Sequence, residues 1–306
     1  MTSQHQRKTL SALVLLIVAA IVLTGCNTAQ YEQSGTKIIP ASTLASYIGK
    51  ENVMIVDMQT AEAYAAAHIT GAVNITQEEI VINVPVKNML TSKNKIQKLL
   101  SEKGIANDMT LVVYDDNKMN AARLFWTLLM YGHENVLVVD GGWSAIQKAG
   151  IPVTDAVATY PPTEYVAAEK DIRWLATAED VLRQVNEPDP NVVLLDVRTD
   201  AEYQQSGKVP SSILWDYANL FYQDGTFKDV QTTRINFLEM KIRPENEIIL
   251  YCQTSMRAAP VFLRLYDAGY RNIKLYDGAY LEWSTNPNYP IDMPTGMVAP
   301  SKKDAS

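Results

Sequence analysis

The residues with the clearest chemical potential are Cys252 and Arg257. Four residues separate them: Gln253, Thr254, Ser255 and Met256. Residues 248–251 have strand character, and a helical pattern follows Arg257, so the connecting loop is predicted to lie at the carboxyl edge of a sheet, where open α/β folds bind ligands. Loop N–H groups and a helix N-terminus favour an anion there. Cys252 is therefore predicted to be a readily ionised nucleophile, with Arg257 supplying a fixed positive charge.

Cys252 also has a structural interpretation, as a core thiol at the end of a strand. Free cysteine is among the most frequently buried residue types, and the flanking pattern is what favours the nucleophile. The histidines that could activate a cysteine are His5, His68 and His133, all in the first half of the chain. No Cys–His pair can therefore form within the second half, and activation would depend on the loop and Arg257.

The composition sets broad limits on the fold and the partners. The 306 residues suit a targeting segment and two domains of ordinary size. Hydrophobic residues make up 47% and charged residues 20%, as in globular proteins. A net charge of -7, with no basic run in the body, argues against nucleic acid as a partner. The two cysteines, Cys26 and Cys252, cannot form a disulfide framework, and the sequence contains no visible metal-ligand cluster.

The N-terminus has the pattern of an export signal. Arg7 and Lys8 precede an apolar run over residues 10–23, which is shorter than a spanning helix usually is. The run ends in Leu23-Thr24-Gly25-Cys26, which resembles the lipobox of bacterial lipoproteins. We predict a signal peptide over residues 1–25, lipidation of Cys26 and a tether over residues 26–36, which makes the protein a membrane-anchored, extracytoplasmic lipoprotein of a bacterial envelope. An uncleaved membrane anchor is the alternative.

The body of the chain contains two copies of one sequence repeat. Corresponding residues lie 137 to 139 positions apart: Asp57 and Asp196, Tyr64 and Tyr203, Asp115 and Cys252, Gly132 and Gly269, and Asp140 and Asp277. Such an internal duplication predicts two similar domains. We place them at residues 37–157 and 167–294, with a linker over residues 158–166 and a polar tail over residues 295–306.

Each copy alternates short apolar runs with helical patterns, which predicts an α/β fold: a mainly parallel sheet flanked by helices on both faces. In the second copy the predicted strands are residues 192–197, 213–215, 248–251 and 273–276. The predicted helices are residues 177–184, 202–205, 233–239 and 258–267. Thr177 is expected to cap the first of these helices, and Gly269 to end the last.

The ordered motifs resemble the rhodanese family of sulfurtransferases in its tandem two-domain form. The first copy carries His68-Ile69-Thr70-Gly71-Ala72 and Asp140-Gly141-Gly142-Trp143, and the second carries Asp196-Val197-Arg198, the Cys252 loop (residues 252–257) and Tyr276-Asp277-Gly278. The resemblance covers nearly all of residues 38–294. It implies two rhodanese-like domains, a persulfide carried by Cys252 and an inactive first domain, because Asp115 stands at the cysteine position.

The resemblance also implies roles for individual residues. Arg257 would hold the loop or an anionic donor, and the hydroxyl groups of Thr254 and Ser255 would be further donors. Asp196 and Arg198 would form a structural pair beneath the loop, and His68 and His133 would serve turns and packing. Three aromatic residues could line the cleft between the domains or simply pack: Tyr217, Tyr222 and Trp283. No cofactor is implied.

The loop departs from the patterns of both main donor classes. Gln253 replaces the basic residue typical of thiosulfate enzymes, and Ser255 replaces a loop glycine. The sequence thus predicts transfer of sulfane sulfur from thiosulfate or 3-mercaptopyruvate to a thiol or cyanide, without choosing the donor.

Two other functions use the same cysteine. One is a tethered persulfide carrier or thiol-binding module that hands sulfur to a protein acceptor. The other is a phosphatase or arsenate reductase, although those loops place five residues between cysteine and arginine rather than four.

Overall fold

Each copy of the repeat folds into a five-stranded parallel sheet in the computed structural model, which describes residues 31–295. The first sheet has the strand order β1-β8-β7-β2-β4 and the second β10-β14-β13-β11-β12. Two small antiparallel pairs, β3 with β9 and β5 with β6, complete the strands of the described residues. The strands are β1 (Ile38–Pro40), β2 (Val53–Asp57), β3 (His68–Ile69), β4 (Val73–Asn74), β5 (Val81–Ile82), β6 (Met89–Leu90), β7 (Thr110–Tyr114), β8 (Val136–Asp140), β9 (Val153–Thr154), β10 (Leu175–Ala176), β11 (Val192–Asp196), β12 (Ile213–Leu214), β13 (Glu247–Tyr251) and β14 (Ile273–Tyr276).

Helices cover the faces of both sheets. The α-helices are α1 (Ala61–Ala66), α2 (Gln77–Ile80), α3 (Lys93–Glu102), α4 (Asn120–Met130), α5 (Gly142–Lys148), α6 (Ala178–Asn186), α7 (Asp200–Ser206), α8 (Val230–Glu239), α9 (Ala258–Asp267) and α10 (Ala279–Thr285). Short 3₁₀ helices occupy Ala41–Ser46, Ile172–Trp174 and Tyr217–Leu220. This architecture confirms the predicted α/β fold of two similar domains, each a parallel sheet flanked by helices.

The helix ends follow the local signals in the sequence. Thr177 caps α6, where its hydroxyl accepts the N–H of Asp180 at 3.2 Å and the Asp180 carboxylate accepts the N–H of Thr177 at 2.9 Å. Gly269 follows α9 with φ +93°, a conformation that favours glycine, and its N–H donates to the carbonyl of Tyr266. Both predicted helix boundaries are confirmed within one or two residues.

The two domains share one apolar core. Helices α4 and α9, which follow the equivalent loops of the two copies, pack against each other, and the rings of Phe125 and Tyr266 meet edge to face at 5.5 Å. One cluster of buried apolar residues draws on both copies and includes Cys252, and each domain has a further cluster of its own. The interface is therefore built from the two helices that begin beside the candidate site and its counterpart.

Residues 31–37, here called the N-terminal strap, lie against the second domain before the chain enters β1. The ring of Tyr31 meets that of Tyr270 at 5.4 Å, and the N–H groups of Glu32 and Gly35 donate to the carbonyls of Gly269 and Asp267. The described part of the predicted tether, residues 31–36, is held to the second domain by backbone hydrogen bonds and a packed aromatic ring.

Some predicted segments lie outside the residues that the structure describes. Residues 1–30, with the predicted signal peptide and Cys26, and residues 296–306 of the predicted tail lie outside them. The predicted linker, residues 158–166, falls in a segment without helix or strand. No helix between residues 31 and 295 combines the length and apolarity needed to cross a membrane.

Candidate active site

Cys252 lies directly after β13, a strand near the middle of the second sheet, and α9 begins six residues later. The start of the Cys252 loop is fixed by α10, since the carbonyl groups of Cys252 and Gln253 accept the N–H groups of Tyr280 and Leu281 at 2.9 and 3.1 Å. Cys252 is 1% exposed. Burial alone is also consistent with a core thiol, so the conformation of the loop is needed to distinguish a core thiol from a nucleophile.

The loop turns sharply at Ser255, which has φ +62°. The Ser255 hydroxyl lies 2.6 Å from the carbonyl of Tyr276 and 2.9 Å from that of Asp277, and its side chain is fully buried. The expectation that this hydroxyl donates to a substrate is therefore wrong. A hydroxyl has one proton to donate, and here that proton holds the loop in its left-handed turn.

Arg257 is held by Glu202. Its guanidinium donates to both carboxylate oxygens at 2.6 and 2.5 Å. Burial alone would raise the pKa of Glu202, but hydrogen bonds from Arg257 and the Thr199 N–H lower it to about 2. The hydrogen bonds to Glu202 raise the pKa of Arg257 against the lowering effect of burial, and the negative charge of a Cys252 thiolate acts in the same direction as the bonds. Arg257 therefore anchors the end of the loop, and two of its donor groups are already used.

Glu202 was not among the predicted site residues. It is the third residue of α7, where it completes a capping box with Thr199: the hydroxyl of Thr199 accepts the N–H of Glu202, and the carboxylate accepts the N–H of Thr199. The Thr-x-x-Glu spacing was visible in the sequence and predicts the helix start. It does not predict that the same carboxylate reaches Arg257, 55 residues away.

Asp196 and Arg198 form a fully buried pair beneath the loop. The Arg198 guanidinium donates to the Asp196 carboxylate at 2.6 and 3.0 Å, and Asp196 lies beside Tyr251, the residue before Cys252, in the sheet register. The guanidinium also stacks 3.6 Å from the ring centre of Tyr280, whose N–H holds the Cys252 carbonyl. These contacts match the predicted structural role of the pair.

The Asp115 loop (residues 115–120) shows what this loop architecture does with a negative charge. The carboxylate of Asp115 accepts the N–H groups of Lys118 and Ala121 at 3.1 and 3.0 Å. Lys118, which corresponds to Ser255, has φ +65°, so both loops turn in the same way. Burial raises the pKa of Asp115 to about 6, although the hydrogen bonds from the N–H groups of Ala121 and Lys118 act in the opposite direction and favour the carboxylate. The first domain thus holds its own carboxylate at the position that corresponds to the thiol of Cys252.

The other predicted residues have structural contacts. His68 and His133 are buried, with ring nitrogens within 2.7 to 3.2 Å of backbone carbonyls and of the Tyr165 hydroxyl, as their predicted packing role requires. Trp283 is fully buried and donates to the carbonyl of Pro290, so it packs in the core. Tyr217 lies 5.9 Å from the Arg257 guanidinium, and Tyr222 is 44% exposed.

Comparison with known proteins agrees with this geometry. Residues 40–149 and 177–286 both match the rhodanese-like domain. The chain is 31% identical over 255 residues to a putative thiosulfate sulfurtransferase of Haloferax volcanii, which covers 78% of the chain and 87% of that protein. It is 30% identical to the sulfur carrier protein TtuD of Thermus thermophilus, over 74% of the chain and 86% of the relative.

A solved structure shares both domains. The 3-mercaptopyruvate sulfotransferase SseA of Escherichia coli superposes with a TM-score of 0.73 and 25% identity, over 80% of this chain and 99% of that one. The duplicated sheets, the cysteine loop and the matched residues lead to one conclusion. The chain belongs to the rhodanese family.

Proposed function

We propose that the protein is a rhodanese-type sulfurtransferase that carries sulfane sulfur as a persulfide on Cys252. The observation that carries the proposal is the pair of equivalent loops. In the first domain, the N–H groups of Lys118 in the loop and of Ala121 in the first turn of α4 hold the Asp115 carboxylate. The corresponding position in the second domain is a cysteine, whose thiolate and persulfide are also anions. The family and the named relatives support sulfur as the group transferred.

The reaction has two displacements. The Cys252 thiolate attacks the outer sulfur of the donor, and a new S–S bond forms as the donor's bond to that sulfur breaks. Sulfite leaves from thiosulfate with the bonding electron pair. From 3-mercaptopyruvate the enolate of pyruvate leaves with that pair and then takes up the proton that the donor's thiol gives up, which yields pyruvate. An acceptor thiolate or cyanide then attacks the outer persulfide sulfur, and Cys252 leaves as the thiolate, ready for another cycle.

The residues around Cys252 position and stabilise this chemistry. Peptide groups from Gln253 to Met256 form the cradle that favours the anionic forms of the cysteine. Arg257 and Glu202 fix the end of the loop, and the Arg257 charge favours an anion nearby. Asp196 and Arg198 support the strand end below. The cycle uses only these groups, the donor and the acceptor.

The proposal is tested by persulfide formation and turnover of the full-length chain purified in detergent. Thiosulfate and 3-mercaptopyruvate are supplied in turn as donors, with cyanide or a small thiol as acceptor, and intact mass is recorded after donor alone. We expect a gain of one sulfur atom that Cys252→Ser abolishes, and turnover with one of the two donors. A reduced, folded protein that shows neither adduct nor turnover would overturn the proposal.

A sulfur carrier is the second candidate, favoured by the likeness to the Thermus thermophilus sulfur carrier. It forms the same Cys252 persulfide but passes the sulfur to a protein acceptor. The two functions differ in the second displacement. Stoichiometric loading followed by slow release to cyanide and small thiols would favour the carrier, whereas multiple rapid turnovers would favour the enzyme.

We also propose that the mature protein is a lipid-anchored, extracytoplasmic lipoprotein. The support is the basic start, the short apolar run and the Leu-Thr-Gly-Cys sequence that ends at Cys26. Expression in a bacterial host with labelled fatty acid is expected to label the wild-type chain and to recover it with membranes. Cys26→Ser should lose the label, and a labelled Cys26→Ser chain would contradict the proposal.

A further inference from the structure

The first domain, which lacks the cysteine, contacts the Cys252 loop with a side chain. The amide group of Asn88 donates to the hydroxyl of Thr254 at 3.1 Å, across 166 residues of sequence. Asn88 lies in the turn of the hairpin formed by β5 and β6, with φ +68°, and is 6% exposed. The contact therefore comes from a buried residue in a defined backbone conformation.

Every polar group of Asn88 has a partner. Its N–H donates to the side chain of Asn83 at 3.1 Å, and its side-chain oxygen accepts from Gln77 at 3.0 Å. Its carbonyl accepts from Arg123 at 2.8 Å. These bonds fix both the backbone and the side-chain orientation, so the amide group is aimed at Thr254 rather than free to rotate.

A second connection runs from the same hairpin to the other side of the loop. The Asp277 carboxylate accepts the Leu90 N–H at 2.6 Å and the Arg123 guanidinium at 2.7 Å. Asp277 is 3% exposed and Arg123 is fully buried. The carbonyl of Asp277 lies 2.9 Å from the Ser255 hydroxyl. The first domain thus fixes the residue against which the loop turns.

Comparing the two copies of the repeat shows which of these contacts is specific to the loop that carries Cys252. In the opposite direction, Phe227 of the second domain donates its N–H to Asp140 at 2.8 Å, as Leu90 does to Asp277. The residue that corresponds to Asn88, 137 positions later, is Gly225. The backbone contact therefore occurs in both domains, at Asp277 and at Asp140, whereas the side-chain contact from Asn88 to Thr254 has no counterpart, because Gly225 has no side chain.

We propose that Asn88 is a positioning residue for sulfur transfer, which makes the first domain part of the catalytic unit. By holding Thr254, it fixes the peptide groups between Gln253 and Ser255 that surround Cys252. Arg123 assists through Asp277. Asn88 does not touch the reacting sulfur, and its effect passes through Thr254. This inference rests on the proposed sulfurtransferase function.

The test removes the Asn88 side chain without straining the backbone. Asn88→Gly retains access to φ +68°. The matched control is Asn52→Gly, an exposed asparagine with φ +56° in the same domain. We expect Asn88→Gly to slow single-turnover persulfide formation about tenfold, the effect of one lost hydrogen bond, while Asn52→Gly stays within about twofold of wild type.

Thr254→Val completes a double-mutant cycle. If Asn88 acts through Thr254, Asn88→Gly should have little further effect in the Thr254→Val background. Effects that multiply, or an unchanged rate in Asn88→Gly, would overturn the positioning role. The thermal unfolding midpoint of each variant separates a displaced loop from a damaged fold.

A second readout keeps this inference separate from the proposed function. The rate at which iodoacetamide alkylates Cys252 depends on the loop but not on sulfur transfer. A wild-type protein that forms no persulfide would overturn the proposed function alone. The same cycle measured by alkylation would then decide the role of Asn88: coupled effects support it, and independent effects refute it.

Discussion

Replacing Asp115 by asparagine should remove a fall in folding stability between about pH 4 and about pH 6. Burial, at 3% exposure, raises the pKa of Asp115 from its ordinary value of 3.8 to about 6. Between these values the folded chain retains a proton that the unfolded chain has released. The stability due to that proton is fully present at low pH and is lost as the pH rises through the folded-state pKa. At 1.36 kcal/mol per unit, the loss amounts to about 3 kcal/mol.

Urea unfolding of wild type and Asp115→Asn at several values between about pH 4 and about pH 7 measures this effect. Asparagine replaces one of the two accepting oxygens by an NH₂ group, so either Lys118 or Ala121 loses its acceptor. The variant should therefore be less stable than wild type at low pH, and this disadvantage should shrink as the pH rises. Asp108→Asn, which removes a charge from an exposed residue elsewhere in the same domain, is the control. A constant difference between wild type and Asp115→Asn would refute the reasoning.

Three further substitutions test the contacts around the site. Glu202→Gln weakens both bonds to Arg257 and should lower kcat/KM about tenfold with little change in Tm, because the pair is partly exposed; unchanged kcat/KM would contradict its role. Arg198→Met leaves the Asp196 carboxylate buried without its partner and should lower the free energy of unfolding in urea by about 3–5 kcal/mol. Adding Asp196→Leu should recover most of this loss, and additive losses would contradict the pairing. Gly269→Ala places a Cβ 2.6 Å from a carbonyl of the N-terminal strap at φ +93° and should cost about 1–3 kcal/mol, whereas a neutral result would mean that the strap moves freely.

Local and repeated patterns were enough to predict the fold and the nucleophile. The duplication, the strand before Cys252, the capping residue Thr177 and the terminal glycine Gly269 are properties of short segments. Helix caps, apolar periodicity and left-handed turns depend on neighbouring residues, so they are visible without a structure. The sequence alone also shows that Asp115 stands at the position of Cys252, because the two copies of the repeat align at a constant offset over this region.

The partners of those residues were decided by tertiary structure. The sequence predicts that the Ser255 hydroxyl can donate to a substrate, but in the structure it lies 2.6 Å from the carbonyl of Tyr276 and is used within the fold. Glu202 reaches Arg257 across 55 residues, and Asn88 reaches Thr254 across 166. Side-chain contacts over such separations depend on how sheets, helices and the two domains pack, and no local pattern specifies that packing. The sequence by itself was therefore enough to identify Cys252 as the candidate nucleophile, and the packing of the domains determined which residues contact its loop.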